Sequence, residues 1–176
     1  MRGGALVKQG QGGEGLAQLS QGLAARRAAG TVVEWSYHLS LLAEAYGNLG
    51  QTAEGLSAIA EALAFVHTTG DHSWEAELYR LQGELLRLGK EEQERGRVEE
   101  CFCQALETAR RQEAKSLELR AAMSLARLWQ QQGKRAEARE LLAEIYGWFT
   151  EGFDTADLQE AKAFLETLAS CRQGDT

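Results

Sequence analysis

The stretch AEAYGNLGQTAEGLSAIAEA, Ala43 to Ala62, holds two small-and-apolar patterns separated by a glycine turn at Gly50. In the first, Tyr46 follows Ala43 by three residues. In the second, Gly55, Ile59 and Ala62 recur at spacings of four and three, which places them on one helical face. Both patterns return along the chain. Leu19, Ile59, Phe102 and Leu142 superimpose at separations of 40, 43 and 40 residues. Gly15, Gly55, Val98 and Ala138 precede these anchors by four, and Gly22, Ala62, Ala105 and Ile145 follow them by three. The first pattern repeats in step as Ala43–Tyr46, Gly83–Leu86 and Ala126–Trp129. Two interleaved helical registers with one long period define a stack of helix–turn–helix units, an all-α solenoid of antiparallel helix pairs.

The punctuation between units predicts helices at 12–29, 32–49, 52–69, 72–88, 95–113, 115–132, 135–150 and 155–170, with residues 1–9 as the tail of an earlier helix. Proline is absent, so glycines and capping residues must end the helices. Gly30 followed by Thr31 and Glu34 reads as a helix stop and a capping box. Gly70-Asp71 and Gly152-Phe153-Asp154 read as stops followed by N-caps, with Asp157 near the positive end of the last helix. Tighter turns are expected at Gly10, Gly50, Leu88-Gly89 and Gly133. The three extra residues of the 43-residue period fall between Gly83 and Val98, in the charged stretch Gly89–Arg97, which is expected as one long loop. The resulting plan is a leading half-repeat (1–30), about three full repeats (31–70, 71–113, 114–150) and a C-terminal capping helix (154–170). Leu158, Ala161, Phe164, Leu165 and Leu168 form the apolar stripe of that helix, while Gln159, Glu160, Lys162 and Glu166 cover its other side. The N-terminal end shows no equivalent, so the reading expects either a longer chain or cover by another molecule.

Composition narrows the function. At 44% hydrophobic and 26% charged residues, the 176-residue chain is of the globular kind, not the disordered kind. A formal charge of −7 disfavours nucleic acid and anionic membrane as partners. No apolar run is long enough to span a bilayer and no signal peptide opens the chain, so a cytoplasmic location is expected. Cys101, Cys103 and Cys171 cannot all pair within one chain. They read as small hydrophobes or idle thiols in a reducing compartment.

The repeated residues match the tetratricopeptide repeat, whose pattern asks for a small residue, an aromatic three later, a turn glycine, then small, large apolar and small. Ala43, Tyr46, Gly50, Gly55, Ile59 and Ala62 fit in order; Ala126, Trp129, Gly133, Ala138, Leu142 and Ile145 fit with one larger substitution. The middle repeat departs, with Leu86 for the aromatic and its turn glycine one residue early. The closing proline is missing throughout, and periods of 40 to 43 exceed the family's 34. Long variants of this kind, including stretches like Ala76–Leu86 and Ala136–Leu142, resemble the C-terminal repeat regions of bacterial adenylate or guanylate cyclase and ATPase regulators. The resemblance covers residues 5 to 170. It implies a right-handed solenoid with a binding groove, and it brings no catalytic residue, because the cyclase and ATPase modules have no counterpart here.

Motifs of catalysis are not found. Gly10, Gly12 and Gly15 spell a literal G-x-G-x-x-G, but on an inter-helix turn and not between a strand and a helix. Gly83 to Gly89-Lys90 has five intervening residues and Glu91 where a P-loop needs Ser or Thr. His38, His67 and His72 read as surface or groove histidines with no obvious third metal ligand. No nucleophile sits in a recognisable motif. No enzyme activity, metal or cofactor is therefore expected.

In repeats that resemble these, the first helix of each pair lines the concave face. The register places Tyr37, Ser40, Glu44 and Asn48 there, then Glu77, Arg80, Glu84 and Arg87, then Arg120, Met123, Arg127 and Gln130. Arg80/Arg87 and Arg120/Arg127 each lie seven apart, hence on one face. Two readings stand. The four arginines form a stripe for the carboxylates of an acidic peptide, or Arg80 and Arg87 pair with Glu84 on their own helix and the stripe is solvated. Tyr46, Trp129, Phe102, Tyr146 and Phe149 sit at packing positions; Trp35, Trp74 and Trp148 lie near helix ends, as staples or as an exposed hot spot. The expected function is a non-enzymatic scaffold that binds a protein or peptide, as the regulatory or sensory end of a bacterial signalling protein. The alternatives are a self-associating module that forms a homodimer through its N-terminal helices, and a small-molecule sensor.

Overall fold

Phe102 is fully buried, and its ring lies so close to the backbone at Gly83 that an added Cβ would meet Cε1 at 2.5 Å. Leu85 makes a similar approach to Gly55, where a Cβ would stand 2.8 Å from Cδ2. The small positions of the repeat are therefore the places where neighbouring helices come nearest. The computed structural model describes residues 12–30, 33–89 and 95–170. These hold eight helices and no strand: α1 (Gly12–Ala28), α2 (Trp35–Asn48), α3 (Thr52–Thr69), α4 (Glu75–Leu88), α5 (Arg95–Arg111), α6 (Lys115–Gln131), α7 (Arg135–Tyr146) and α8 (Ala156–Ser170).

Each helix packs on the next in sequence, and α2, α4, α6 and α8 also touch one another in turn. The even-numbered helices thus form a continuous row, and the odd-numbered ones lean against it. The anchors of the long period, Leu19, Ile59, Phe102 and Leu142, are all buried. Gly22 departs from its register: it is exposed, because no described helix covers that side of α1, whereas Ala62, Ala105 and Ile145 are buried. The core is divided. Leu78, Leu81 and Leu85 of α4 face one cluster with α1, α2 and α3, while Leu86 on the same helix joins a second cluster that runs to Leu168. On α8, Leu158, Ala161 and Leu168 are buried and Gln159, Glu160, Lys162 and Glu166 are exposed, as the amphipathic stripe requires.

The turns show why the glycines recur. Gly50 and Gly133 adopt φ of +72° and +82°, a left-handed conformation that costs other residues dearly. In both turns the amide three places past the helix reaches back to the aromatic of the register: Gln51 N–H to the Tyr46 carbonyl at 2.9 Å, Lys134 N–H to that of Trp129 at 2.8 Å. This is the Schellman closure of a helix end. Three residues connect α2 to α3 (49–51) and α6 to α7 (132–134), but six connect α4 to α5 (89–94), which places the three extra residues where the two registers located them. Of that longer connection, 90–94 lie outside the described residues, as do Gly10, residues 1–9, Thr31 and Cys171.

The caps need correction. α2 begins at Trp35, and Glu34 precedes it with φ 53°, so Glu34 cannot be the third helical residue of a capping box. Its carbonyl takes the His38 amide at 3.1 Å and the His38 Nδ1–H at 2.7 Å. His38 is accordingly buried, not a surface or groove residue. Asp71 does not cap α4, which starts at Glu75; its Oδ1 instead accepts from the Ser73 amide (3.2 Å) and hydroxyl (2.7 Å), an Asx turn that delays the helix. Thr155, not Asp154, directly precedes α8. Trp35 is a buried staple whose indole donates to Glu61 at 3.2 Å, Trp74 stacks on Tyr37 with centroids 4.6 Å apart, and Trp148 stays exposed. Cys103 is exposed on α5; partial desolvation and the Glu99 carboxylate push its thiol pKa up, which leaves it weakly nucleophilic.

Two glycine substitutions separate packing from propensity. Gly83→Ala gains about 1 kcal/mol of helix propensity but drives a methyl into the Phe102 ring, an overpacking that costs about 1–3 kcal/mol. Gly22→Ala meets nothing within 4 Å and stabilises by about 0.5–1 kcal/mol. Urea unfolding should show the first variant less stable than the parent and the second more stable.

Candidate functional site

The even-numbered row presents its charged residues as an interlocked set. Arg80 on α4 donates from Nε and Nη2 to the two oxygens of Glu77, at 2.9 and 2.8 Å. Arg120 on α6 reaches the same carboxylate at 2.9 Å. One turn on, Ser124 of α6 donates to Glu84 of α4 at 2.7 Å, while Arg80 Nη1 lies 3.4 Å from the Ser124 hydroxyl. Arg87 closes on the other Glu84 oxygen with two donors, at 3.1 and 2.9 Å. Between α6 and α8, Arg127 donates to Glu160 at 2.6 Å and lies over the Phe164 ring. Every arginine of the sequence-derived stripe thus holds an internal carboxylate, across helices as well as along them.

These pairs are not equivalent energetically. Glu77 is 4% exposed and serves two guanidiniums, so it is a buried ion triad whose rupture leaves uncompensated charge. Arg127–Glu160 is half-exposed and contributes little. The same device recurs at the helix starts. Glu75 takes His72 at 3.0 Å and Arg111 at 3.3 Å. Its counterpart Glu118 takes Lys115 at 2.7 Å and Arg110 at 3.0 Å. The two arginines that end α5 therefore fork, one back to α4 and one forward to α6. Burial pushes the Glu118 carboxyl pKa up, but the hydrogen bonds from Lys115 and Arg110 outweigh it and hold it below the ordinary value.

The row encloses two adjoining hollows. The first, about 180 Å³, is reached by all four even-numbered helices: Glu44 from α2, Arg80 from α4, Arg120, Met123, Ser124 and Arg127 from α6, and Asp157 and Glu160 from α8. The second, about 310 Å³, lies between α2 and α4 and mixes apolar walls (Ala43, Gly47, Leu81, Leu85, Leu88) with Asn48, Glu84 and Arg87. Glu44 and Arg80 belong to both, so the hollows form one trough. Most positions that the register assigned to the concave face meet here. Ser40 and Glu77 are buried beneath it, the Ser40 hydroxyl donating to the Tyr37 carbonyl at 2.7 Å. Tyr37 packs on Trp74, and neither it nor Gln130 lines the hollows. Ser124, Asp157 and Glu160 were not anticipated. Ser124 sits four residues beyond Arg120 on the same face, which is a usable signal; Glu160 was assigned to the polar side of α8 and Asp157 to its positive end.

Among the described residues no group of His, Cys, Asp and Glu is arranged to hold a metal ion, and no helix is long and apolar enough to cross a membrane. The chain matches no protein-family model and no curated protein.

Glu77→Ala removes the carboxylate that Arg80 and Arg120 share and should cost about 3–4 kcal/mol, read as a fall in Tm of roughly 6–16 °C. Because the Glu118 pKa is depressed in the folded chain, its contribution is present above the ordinary glutamate value of 4.5 and lost as pH falls through the folded value. Urea titrations from pH 7 to pH 3 should therefore show a shallower acid loss of stability in Glu118→Gln than in the parent.

Proposed function

We propose that the chain is a right-handed, tetratricopeptide-like solenoid that acts as a non-enzymatic scaffold, holding a protein or peptide segment in the trough of its even-numbered helices. The observation that carries this reading is the convergence of α2, α4, α6 and α8 on one open hollow, with a second beside it. An extended segment crossing the row meets charged and apolar walls from successive helices, which is how repeat arrays distribute recognition along a surface. The trough is anchored: Leu85 and the Glu77 triad lock its floor, so little ordering is needed on binding. The hollows, at about 180 and 310 Å³, sit at or below the small end of small-molecule pockets, roughly 300–1,000 Å³. That favours side chains of a larger partner over a free metabolite. The setting in a bacterial signalling regulator rests on the sequence resemblance, with the scaffold as its regulatory or sensory end.

Selection of random displayed peptides on the full chain tests the reading. Asn48→Trp places an indole at the edge of the larger hollow and should weaken selected peptides at least tenfold without shifting the melting temperature. Glu140→Trp, on the exposed side of α7, should leave binding unchanged. Peptides indifferent to Asn48→Trp would place recognition elsewhere.

A further inference from the structure

We propose that the connection between α7 and α8 is an interaction surface separate from the trough, where Trp148 and Phe153 receive an apolar side chain that a partner protein flanks with lysine or arginine. Four aromatics gather there within eight residues: the Tyr146 and Phe153 rings lie 5.9 Å apart, and Trp148 meets Phe149 edge-on at 5.2 Å. Tyr146 and Phe149 pack against the core, but Trp148 is 58% exposed and Phe153 47%. None of the four lines either hollow. Nine residues make this connection (147–155), against five between α3 and α4 and three between α5 and α6. The extra length is fastened by its own bonds, since the Thr155 amide and hydroxyl both donate to the Gly152 carbonyl, at 2.9 and 2.7 Å. A loop so held presents its rings in fixed positions, and large aromatics displayed in this way are the side chains that dominate protein interfaces.

The chemistry of the partner follows from the charges beside the rings. From Glu140 to Glu160 the chain carries six carboxylates and no lysine or arginine. Glu144 lies four residues before Trp148, Glu151 falls between the two exposed rings, and Asp154 follows Phe153 directly. All three are exposed, and none enters a hydrogen bond or ion pair among the described residues. The cation that does touch Trp148 is internal and already committed. Lys115 Nζ is held by the buried Glu118 at 2.7 Å and lies 5.4 Å from the centre of the indole. That contact braces the ring in an ammonium–aromatic geometry and leaves more than half of it open. An acidic partner meets uncompensated like charge here. A segment whose apolar side chain covers Trp148 and Phe153 while its cations reach Glu151 and Asp154 meets the opposite charge and breaks no existing pair.

Displayed random peptides, selected on the full chain and counter-selected on Trp148→Ser/Phe153→Ser, test this. The peptides recovered should carry an aromatic or aliphatic residue flanked by Lys or Arg. In fluorescence anisotropy, labelled copies of them should bind the parent at least tenfold tighter than copies with Glu in place of the basic residues, and should weaken as salt rises from 50 to 300 mM. The surface variant Glu151→Lys/Asp154→Lys, which leaves the rings in place, should weaken the basic peptides at least tenfold while melting as the parent does. Asn48→Trp, at the edge of the larger hollow, should leave them bound. Recovery of acidic peptides or of none, or binding indifferent to the lysine pair, overturns the proposal, and the trough reading then stands or falls on its own test. Loss of binding in Asn48→Trp places the peptides in the trough and overturns it equally. Light scattering that shows a dimer of the parent and a monomer of Trp148→Ser/Phe153→Ser makes the occupant a second copy of this chain, which also overturns it.

Discussion

The distance between helices is set by where the chain has no side chain to interpose. Leu85 of α4 lies over Gly47 and Gly55, on α2 and α3, and Phe102 of α5 lies on Gly83 of α4. Each large residue fills the groove that a small one leaves, in the manner of ridges entering grooves. Because α4 sends Leu85 to one side and Leu86 to the other, it serves as a shared wall between two clusters. Phe102, fully buried in the longer one, lies against Gly83 of this shared wall.

Once the helices are that close, the even-numbered row must bring its charged residues together, and their pairing follows. Glu75, Glu77 and Glu118 are buried and each is shared by two nitrogen donors, one of them from a different helix. Buried carboxylates of this kind fix the sliding position of one helix against the next more than they add net stability. They also decide the character of the surface. All four arginines of the stripe hold internal carboxylates, so the trough is lined by paired charges of both signs and not by guanidiniums alone.

Helix positions were largely legible because they depend on local signals. Gly50 and Gly133 end helices through a backbone conformation that glycine adopts at least cost, and the small-large-small triplets repeat at one face. The six-residue connection before α5 was locatable from the mismatch between the two registers alone. The N-terminal caps were not. Asp71 spends its side chain on Ser73, and Glu34 precedes α2 in a left-handed conformation with its backbone carbonyl taken by His38.

The sequence by itself determined that the chain is helical, where the helices lie, which residues anchor them and which face gathers Arg80, Arg87, Arg120 and Arg127, since each of these follows from periodicity within one helix. Only the tertiary structure decided what those arginines do. Glu77–Arg120, Ser124–Glu84 and Arg127–Glu160 join residues 33 to 43 apart, across helices whose rotation about their axes no single-helix pattern specifies. That rotation is set by side chains meeting glycines on the next helix, and with it which carboxylate each arginine meets.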